Sequence, residues 1–170
     1  MRLKNSKNRG YSLIEMVIYV SLLTIIFIVA INMLLSFSQS YRALSALRLA
    51  EHSAIDSMER ISRDIRLASS VDSGNSTLGT SPGVLTLIAT SNGVSTTTKF
   101  YVQNGVLKVD VNGVYFGPLT LASASTTSLT FRLLSNTNSD AVKVDMTVEG
   151  TVGSITKSKT YHSTIILRGN

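Results

Sequence analysis

The distribution of apolar and polar residues divides the chain into three parts. Residues 16 to 37 contain no charged side chain, and a helix of that length spans roughly 33 Å, the thickness of the hydrocarbon core of a bilayer. Apolar residues then recur at helical spacing, and beyond residue 84 they alternate with polar ones. The pattern predicts an α+β protein: a membrane helix at 11–37, an amphipathic half of the same helix at 38–70, and a linker with an antiparallel β-sheet head at 71–170.

The amphipathic half of the helix contains neither Pro nor Gly between Ser38 and Ser70, so we expect it to continue unbroken from the membrane segment. One stripe of this half is apolar and is interrupted by Glu51. We expect the stripe to pack on the apolar face of the sheet, because that face needs a cover. The stripe consists of Leu44, Leu47, Ala54, Met58, Ile61, Ile65 and Ala68.

The segment from Ser69 to Gly83 has the composition of a linker. The pairs Asn104-Gly105 and Asn112-Gly113 are favoured two-residue hairpin turns. Alternation predicts one antiparallel sheet with an apolar and a wet face. Its strands are predicted at 84–88, 99–102, 106–111, 114–116, 129–133, 142–149 and 161–167.

The charges are concentrated at the N-terminus. The formal net charge is +6, and Arg2, Lys4, Lys7 and Arg9 supply four of the sixteen basic residues. By the positive-inside rule this end stays in the cytoplasm and the head lies outside it. Without residues 1–10, twelve basic residues would face ten acidic ones. That balance is not typical of nucleic-acid binding.

A secretory signal peptide would have a shorter apolar region followed by a small-residue cleavage site. Here the apolar run is full length, and the break in composition precedes it, at Arg9-Gly10-Tyr11. A cut after Gly10 would remove the basic leader, residues 1–10, and keep the helix as a single-pass anchor.

Glu15 stands at the edge of the apolar helix, where an unpaired carboxylate is costly. No basic residue follows it before Arg42, so we do not expect a charged partner nearby in the same helix. An α-amino group exposed on Tyr11 of a neighbouring, axially staggered chain would supply the counter-charge. The alternative is an ordinary single-pass anchor with a chance glutamate.

The residues Arg9-Gly10-Tyr11-Ser12-Leu13-Ile14-Glu15-Met16-Val17 resemble the class III signal of type IV pilins and type II secretion pseudopilins. The resemblance implies that prepilin peptidase, an aspartyl enzyme of the membrane, cuts after Gly10 and methylates the new amine of Tyr11, where Phe is usual. It also implies that Glu15, the fifth mature residue, acts in subunit assembly. The partners would be other pilin or pseudopilin subunits and an assembly platform in the inner membrane, before incorporation into a pilus or pseudopilus.

Two further features are similar to minor subunits of this family. Many major pilins have a proline near the middle of the membrane segment, where this chain has Asn32. The helix end, residues 58–68, and the closing residues 165–168 resemble the J-type pseudopilin and its type IV pilus counterpart. The resemblance therefore implies a minor subunit.

Enzymatic chemistry finds little support in the sequence. His52 lies on the polar side of the helix, and His162 lies on the last strand with no acid nearby in the sequence. There is no cysteine, phosphate-binding glycine loop or metal-ligand spacing. A calcium loop at Asn136, Asn138 and Asp140 is less favoured than a polar turn, because it has one acid. We expect no catalytic residue, metal or cofactor.

Two function classes remain open. One is a structural minor pilin or pseudopilin, and the other is a filament-tip module for adhesion or DNA uptake. A binding module should show a clustered basic or aromatic patch. The lysines of the head are dispersed among acids in the sequence, which favours the structural role and makes nucleic acid an unlikely partner. They are Lys99, Lys108, Lys143, Lys157 and Lys159.

Overall fold

A computed structural model describes residues 12–91, 93–136 and 139–168. One long helix is followed by short and long antiparallel strands, which confirms the predicted α+β class. The elements are α1 (Leu13–Leu67), β1 (Ser70–Val71), β2 (Leu85–Ser91), β3 (Val94–Gln103), β4 (Val106–Val111), β5 (Val114–Pro118), β6 (Ala124–Asn136), β7 (Ser139–Val152) and β8 (Ile155–Ile166).

The chain forms two compact units, with the boundary between Tyr41 and Arg42 inside α1. In the first unit the large apolar side chains of α1 are exposed. The hydroxyls of Ser21 and Thr24 donate to the carbonyls of Val17 and Val20, each at 2.8 Å. Their hydrogen bonding is therefore satisfied inside the helix, as an apolar environment requires.

The strands of the second unit form two sheets, where the sequence pattern predicted one. The first has the order β1-β2-β3-β4-β5 and the second β6-β7-β8. The predicted hairpins are confirmed: Asn104 and Asn112 have φ of 52°, and Gly105 and Gly113 have φ of 75° and 78°. Positive φ at both central residues is the type I′ geometry that matches the twist of the flanking strands.

The segment predicted as a linker is ordered. It contains β1, which pairs with β2, and a bridge between Thr77 and Val84. The Asp72 carboxylate accepts hydrogen bonds from the Gly74 nitrogen at 3.1 Å and from the Asn75 side chain at 2.7 Å. The Asn75 side-chain bond is the main cause that lowers the pKa of Asp72. The Asp72 side chain thus caps a tight turn and fixes the backbone conformation of this polar segment.

The face of α1 that packs in the head differs from the predicted stripe. Ile61, Ile65, Ala54 and Ala68 are buried as expected, but Leu44 is 48 % exposed. The buried positions in the first part of the stripe belong to small residues: Ala46, Ala50, Ser53 and Ser57. The hydrophobic pattern predicted that leucines would be buried in this part of the helix. Small residues are buried instead, because the helix backbone and the strand backbone approach each other closely.

Two buried serines connect α1 to the chain that follows β5. The Ser57 hydroxyl lies 2.7 Å from the Ser53 carbonyl and 3.2 Å from the Leu119 carbonyl. The Ser53 hydroxyl accepts a hydrogen bond from the Leu121 nitrogen at 3.1 Å. Both hydroxyls have protein partners, so their burial does not leave a polar group unsatisfied.

Candidate functional site

The first turn of α1 carries the charged group of the candidate assembly site. The Ser12 carbonyl accepts hydrogen bonds from the nitrogens of Glu15 at 3.0 Å and Met16 at 3.2 Å. Glu15 therefore stands three residues after the residue that opens the helix, where the helix dipole favours a negative charge. The Ser-x-x-Glu spacing is also that of a capping box. An N-terminal helix cap is thus a structural role available to Glu15.

Glu15 has a partner in its own helix that the sequence analysis missed. The Tyr19 hydroxyl donates to Glu15 Oε1 at 3.3 Å. The i,i+4 spacing was the available signal, but only basic partners were considered. A neutral hydroxyl solvates the carboxylate without supplying a counter-charge, so the prediction of a charged partner from another chain remains untested.

The surroundings of Glu15 are apolar. Leu13 is 82 % exposed and Ile14 is 69 % exposed in the single chain, while Glu15 is half-buried. A shallow cavity of about 280 Å³ is lined by Leu13, Met16, Val17, Val20 and Ser21. The Glu15 carboxylate follows Ile14 and precedes Met16, so it meets hydrocarbon when lipid or another helix covers this segment.

The two residues of the predicted cleavage site, Gly10 and Tyr11, lie outside the described residues, as does the basic leader. The sequence of this region is nevertheless informative. Residues 5–31 match the prokaryotic N-terminal methylation motif. The chain carries a prepilin-type signal.

A motif of this kind is typical of type IV pilin-like and pseudopilin proteins that prepilin peptidase processes. The motif favours a structural role and assembly with other pilins. The helix α1 is long and apolar enough to cross a membrane, as judged by its length and composition. Signal and helix together fit a single-pass membrane-anchored protein. No curated protein and no solved structure matches the chain.

Both histidines have acidic neighbours. His52 Nδ1 lies 2.9 Å from Asp56 Oδ2, and His162 Nδ1 lies 2.6 Å from Asp145 Oδ1. Asp145 and His162 face each other across β7 and β8. The sequence analysis did not predict this pair, because the two residues are distant in sequence. The His162 hydrogen bond is the main cause that lowers the pKa of Asp145. Among the described residues, histidine and acidic side chains do not form groups of three or more.

The structure groups part of the charge that looked dispersed in the sequence. Lys99 and Tyr101 alternate along β3, and Tyr101 pairs directly with Lys108 on β4. Tyr115 pairs with Asp110 and therefore shares the same face of the first sheet. The Tyr101 hydroxyl donates to Asp110 Oδ1 at 3.1 Å; burial and this acidic neighbour raise the Tyr101 pKa. The face combines aromatic rings with both signs of charge.

Proposed function

We propose that this protein is a minor structural subunit, a minor pilin or pseudopilin, of a type IV pilus-like or type II secretion filament. The observation that carries the proposal is the match of residues 5–31 to the methylation motif, which extends into the first part of α1, where the large apolar side chains are exposed in the single chain. Asn32 in place of the proline of many major pilins supports the minor role. The resemblance of residues 58–68 to J-type subunits supports the same role.

In this proposal, residues 1–10 form a leader that is cut after Gly10, and Tyr11 becomes the methylated N-terminus. Residues 11–37 cross the inner membrane with the N-terminus in the cytoplasm, and residues 38–170 lie outside it. After processing, the assembly platform transfers the subunit into a filament.

Glu15 is proposed to bind the Tyr11 amine of a neighbouring subunit. The two groups are poorly solvated when helices cover them, so pairing removes the cost of two isolated charges. Tyr19 holds the Glu15 carboxylate along its own helix, which reduces the freedom that the carboxylate loses on pairing.

The processing step is tested by the intact mass of the membrane-extracted protein from cells with and without prepilin peptidase. We expect the loss of residues 1–10 and the gain of one methyl group only with the peptidase. Gly10→Lys should block the cut, because a long charged side chain cannot fit where the peptidase needs a small residue. Asn5→Lys adds the same side chain outside the cleavage site and should leave processing unchanged. Retention of the leader in wild-type protein with active peptidase contradicts the proposal.

The second candidate function is a binding module at the filament tip. It is favoured by the tyrosines and lysines that the first sheet collects on one face. These residues lie on three successive strands joined by the two Asn-Gly turns, and strand register brings them to one face. This function adds to a filament role, because a tip subunit is also processed and assembled.

A further inference from the structure

The outer face of the first sheet contains a polar cleft of about 340 Å³. This volume lies at the small end of the range for ligand sites. The cleft is lined by Asn75, Thr86, Thr97, Lys99, Asp110 and Gly113. Loop, strand and turn residues thus converge on one concave region.

The floor of the cleft is a row of residues across adjacent strands. Thr86 of β2 faces Lys99 of β3, and Lys99 faces Asp110 of β4. Tyr115 of β5 continues the row beside Asp110. Direct neighbours across a sheet have Cβ atoms about 5 Å apart, so one small molecule can contact several of them.

The two charged residues of the row keep hydrogen-bonding capacity for a ligand. Lys99 and Asp110 face each other without forming an ion pair within the described part of the chain. The Lys99 ammonium instead lies 5.8 Å from the centre of the Tyr101 ring, and no described residue accepts a hydrogen bond from it. The Tyr101 hydroxyl occupies Asp110 Oδ1, which leaves Oδ2 without a donor among the described residues.

Aromatic rings border this polar pair. Tyr115 is 52 % exposed, and the Lys108 ammonium lies 5.4 Å from the centre of its ring. Lys108 also donates to Gln103 Oε1 at 2.7 Å, so this second lysine is already engaged. The exposed Tyr115 side chain offers an aromatic face that the C–H surface of a ligand can contact.

We propose that this cleft binds a neutral saccharide unit of a glycan. A ligand that fits this pair has an acceptor for Lys99 and a donor for Asp110 close together, and it carries no net charge. Adjacent hydroxyl groups of a sugar supply both the acceptor and the donor. Thr97 and Asn75 add further polar contacts, and the C–H face of a sugar ring suits the tyrosine at the border. A phosphate-containing ligand would meet the Asp110 carboxylate at the floor of the cleft, so the pair disfavours nucleic acid. The inference rests on the second candidate function and not on filament assembly.

The test uses the full processed chain in alkyl amine-oxide micelles, because detergents with sugar head groups would compete. An array of immobilised hexose, N-acetylhexosamine and deoxyhexose glycans is probed first. The methyl glycoside of the best-bound sugar is then titrated by saturation-transfer difference NMR. We expect saturable binding with a Kd of about 1 mM or below, as befits a small exposed site.

The decisive variants separate the ligand contacts from the fold. Asp110→Asn keeps an oxygen for the Tyr101 hydroxyl but replaces the acceptor Oδ2 by a donor, and we expect about tenfold weaker binding or more. Lys99→Gln should weaken binding to a similar extent. Lys159→Gln is the control on the other sheet, because Lys159 also lies over a tyrosine ring, that of Tyr161 at 5.4 Å. Lys159 in addition pairs with Glu51 at 2.7 Å, so the melting temperature of this variant is measured alongside its binding. The variant should bind as wild type.

Several outcomes would overturn the inference. They are the absence of saturable binding to every glycan of the array, binding that survives both Asp110→Asn and Lys99→Gln, and loss of binding in Lys159→Gln alone. Preferential binding of an oligothymidine or of free glycine, used as probes for an anionic and a zwitterionic ligand, also contradicts it. If Asp110→Asn lowers the melting temperature, Tyr115→Leu on the exposed edge serves as the second test and should reduce binding. Processing of Asp110→Asn by prepilin peptidase should be normal, so failure here is distinct from failure of the filament role.

Discussion

Gly150 of β7 lies directly against the backbone of α1 at Ala46. A Cβ on Gly150 would overlap the Ala46 carbonyl oxygen and lie 2.9 Å from the Ala50 nitrogen. Because Ala46 and Ala50 are fully buried and small, helix and strand approach more closely here than larger side chains would permit. This contact explains why the packed stripe of α1 begins with alanines.

The first prediction is that Gly150→Ala destabilises the head by about 1–3 kcal/mol, because the added methyl group must displace the helix backbone. The control is Gly117→Ala on β5, where a Cβ would meet nothing within 4 Å. Urea denaturation of the head, residues 38–170, followed by circular dichroism, gives both values. Equal stabilities of the two variants would show that the helix adjusts without cost.

The second prediction is that residues 38–170 fold without the membrane segment, because this fragment retains the buried residues of the head. We expect a soluble fragment with a mixed α+β circular dichroism spectrum and a cooperative melting transition. Aggregation or a non-cooperative transition would contradict it.

Two aspartate substitutions on α1 sharpen the test of this packing. Ile61 is fully buried, so Ile61→Asp places a charge among hydrocarbon and should cost about 3 kcal/mol or more. Leu44→Asp makes a comparable change at a position that is 48 % exposed and should cost less than about 1 kcal/mol. A loss at Leu44 as large as the loss at Ile61 would support the stripe predicted from the sequence instead.

Local patterns were sufficient for most of the elements. Uninterrupted helix-forming residues predicted α1 to within a few residues of its end at Leu67, and the strand Val106–Val111 has its predicted bounds. The Asn-Gly turns succeed because positive φ at two consecutive residues strongly selects these residue types. These features depend on interactions between residues close together in the chain.

Features that depend on distant residues escaped prediction. The division into two sheets and the pairing of β1 with β2 are set by tertiary packing. Leu44 was assigned to the packed stripe because of its hydrophobicity. The sequence does not reveal that Gly150 approaches the backbone of α1 at Ala46, a contact that places small residues on the packed face. In the candidate site, the motif was sufficient to predict a role for Glu15. Its hydrogen bond to Tyr19 was not predicted, because only charged partners were considered.

The third prediction concerns Asp145, whose pKa is lowered from 3.8 chiefly by its hydrogen bond to His162 and less by Lys143 and Arg132. A carboxyl with a lowered pKa stabilises the fold fully above pH 3.8, and this contribution is lost as the pH falls through its folded-state value. Carboxyl-carbon NMR of the head should therefore show an Asp145 midpoint below 3.8.

The control for this titration is His162→Gln, which removes the imidazole and keeps the neighbouring cations. The Asp145 midpoint should move upward, because the largest cause that lowers its pKa is removed. The stability difference between wild type and Asp145→Asn should shrink below pH 3.8. An unchanged midpoint in His162→Gln would assign the shift to the cations instead.

The last prediction is that Glu15→Ala leaves cleavage and membrane insertion intact but reduces incorporation into filaments. Removal of a carboxylate makes the helix more compatible with lipid. Assembly, however, would bury the Tyr11 amine of the neighbouring subunit without a counter-charge, at a cost of about 3 kcal/mol or more. Intact mass reports cleavage, and crosslinking to other filament subunits reports incorporation in the same cells.

Two further variants distinguish the charge of Glu15 from its position in the helix. Glu15→Asp keeps the charge with a shorter reach and should assemble partially. Tyr19→Phe removes the hydroxyl that donates to Glu15 but leaves the carboxylate, so it should assemble nearly as wild type. If Glu15→Ala joined filaments at wild-type levels, the carboxylate would not bind a neighbour in this subunit. Its remaining role would then be at the start of α1, where Glu15→Ala should lower the helix content of the first turns.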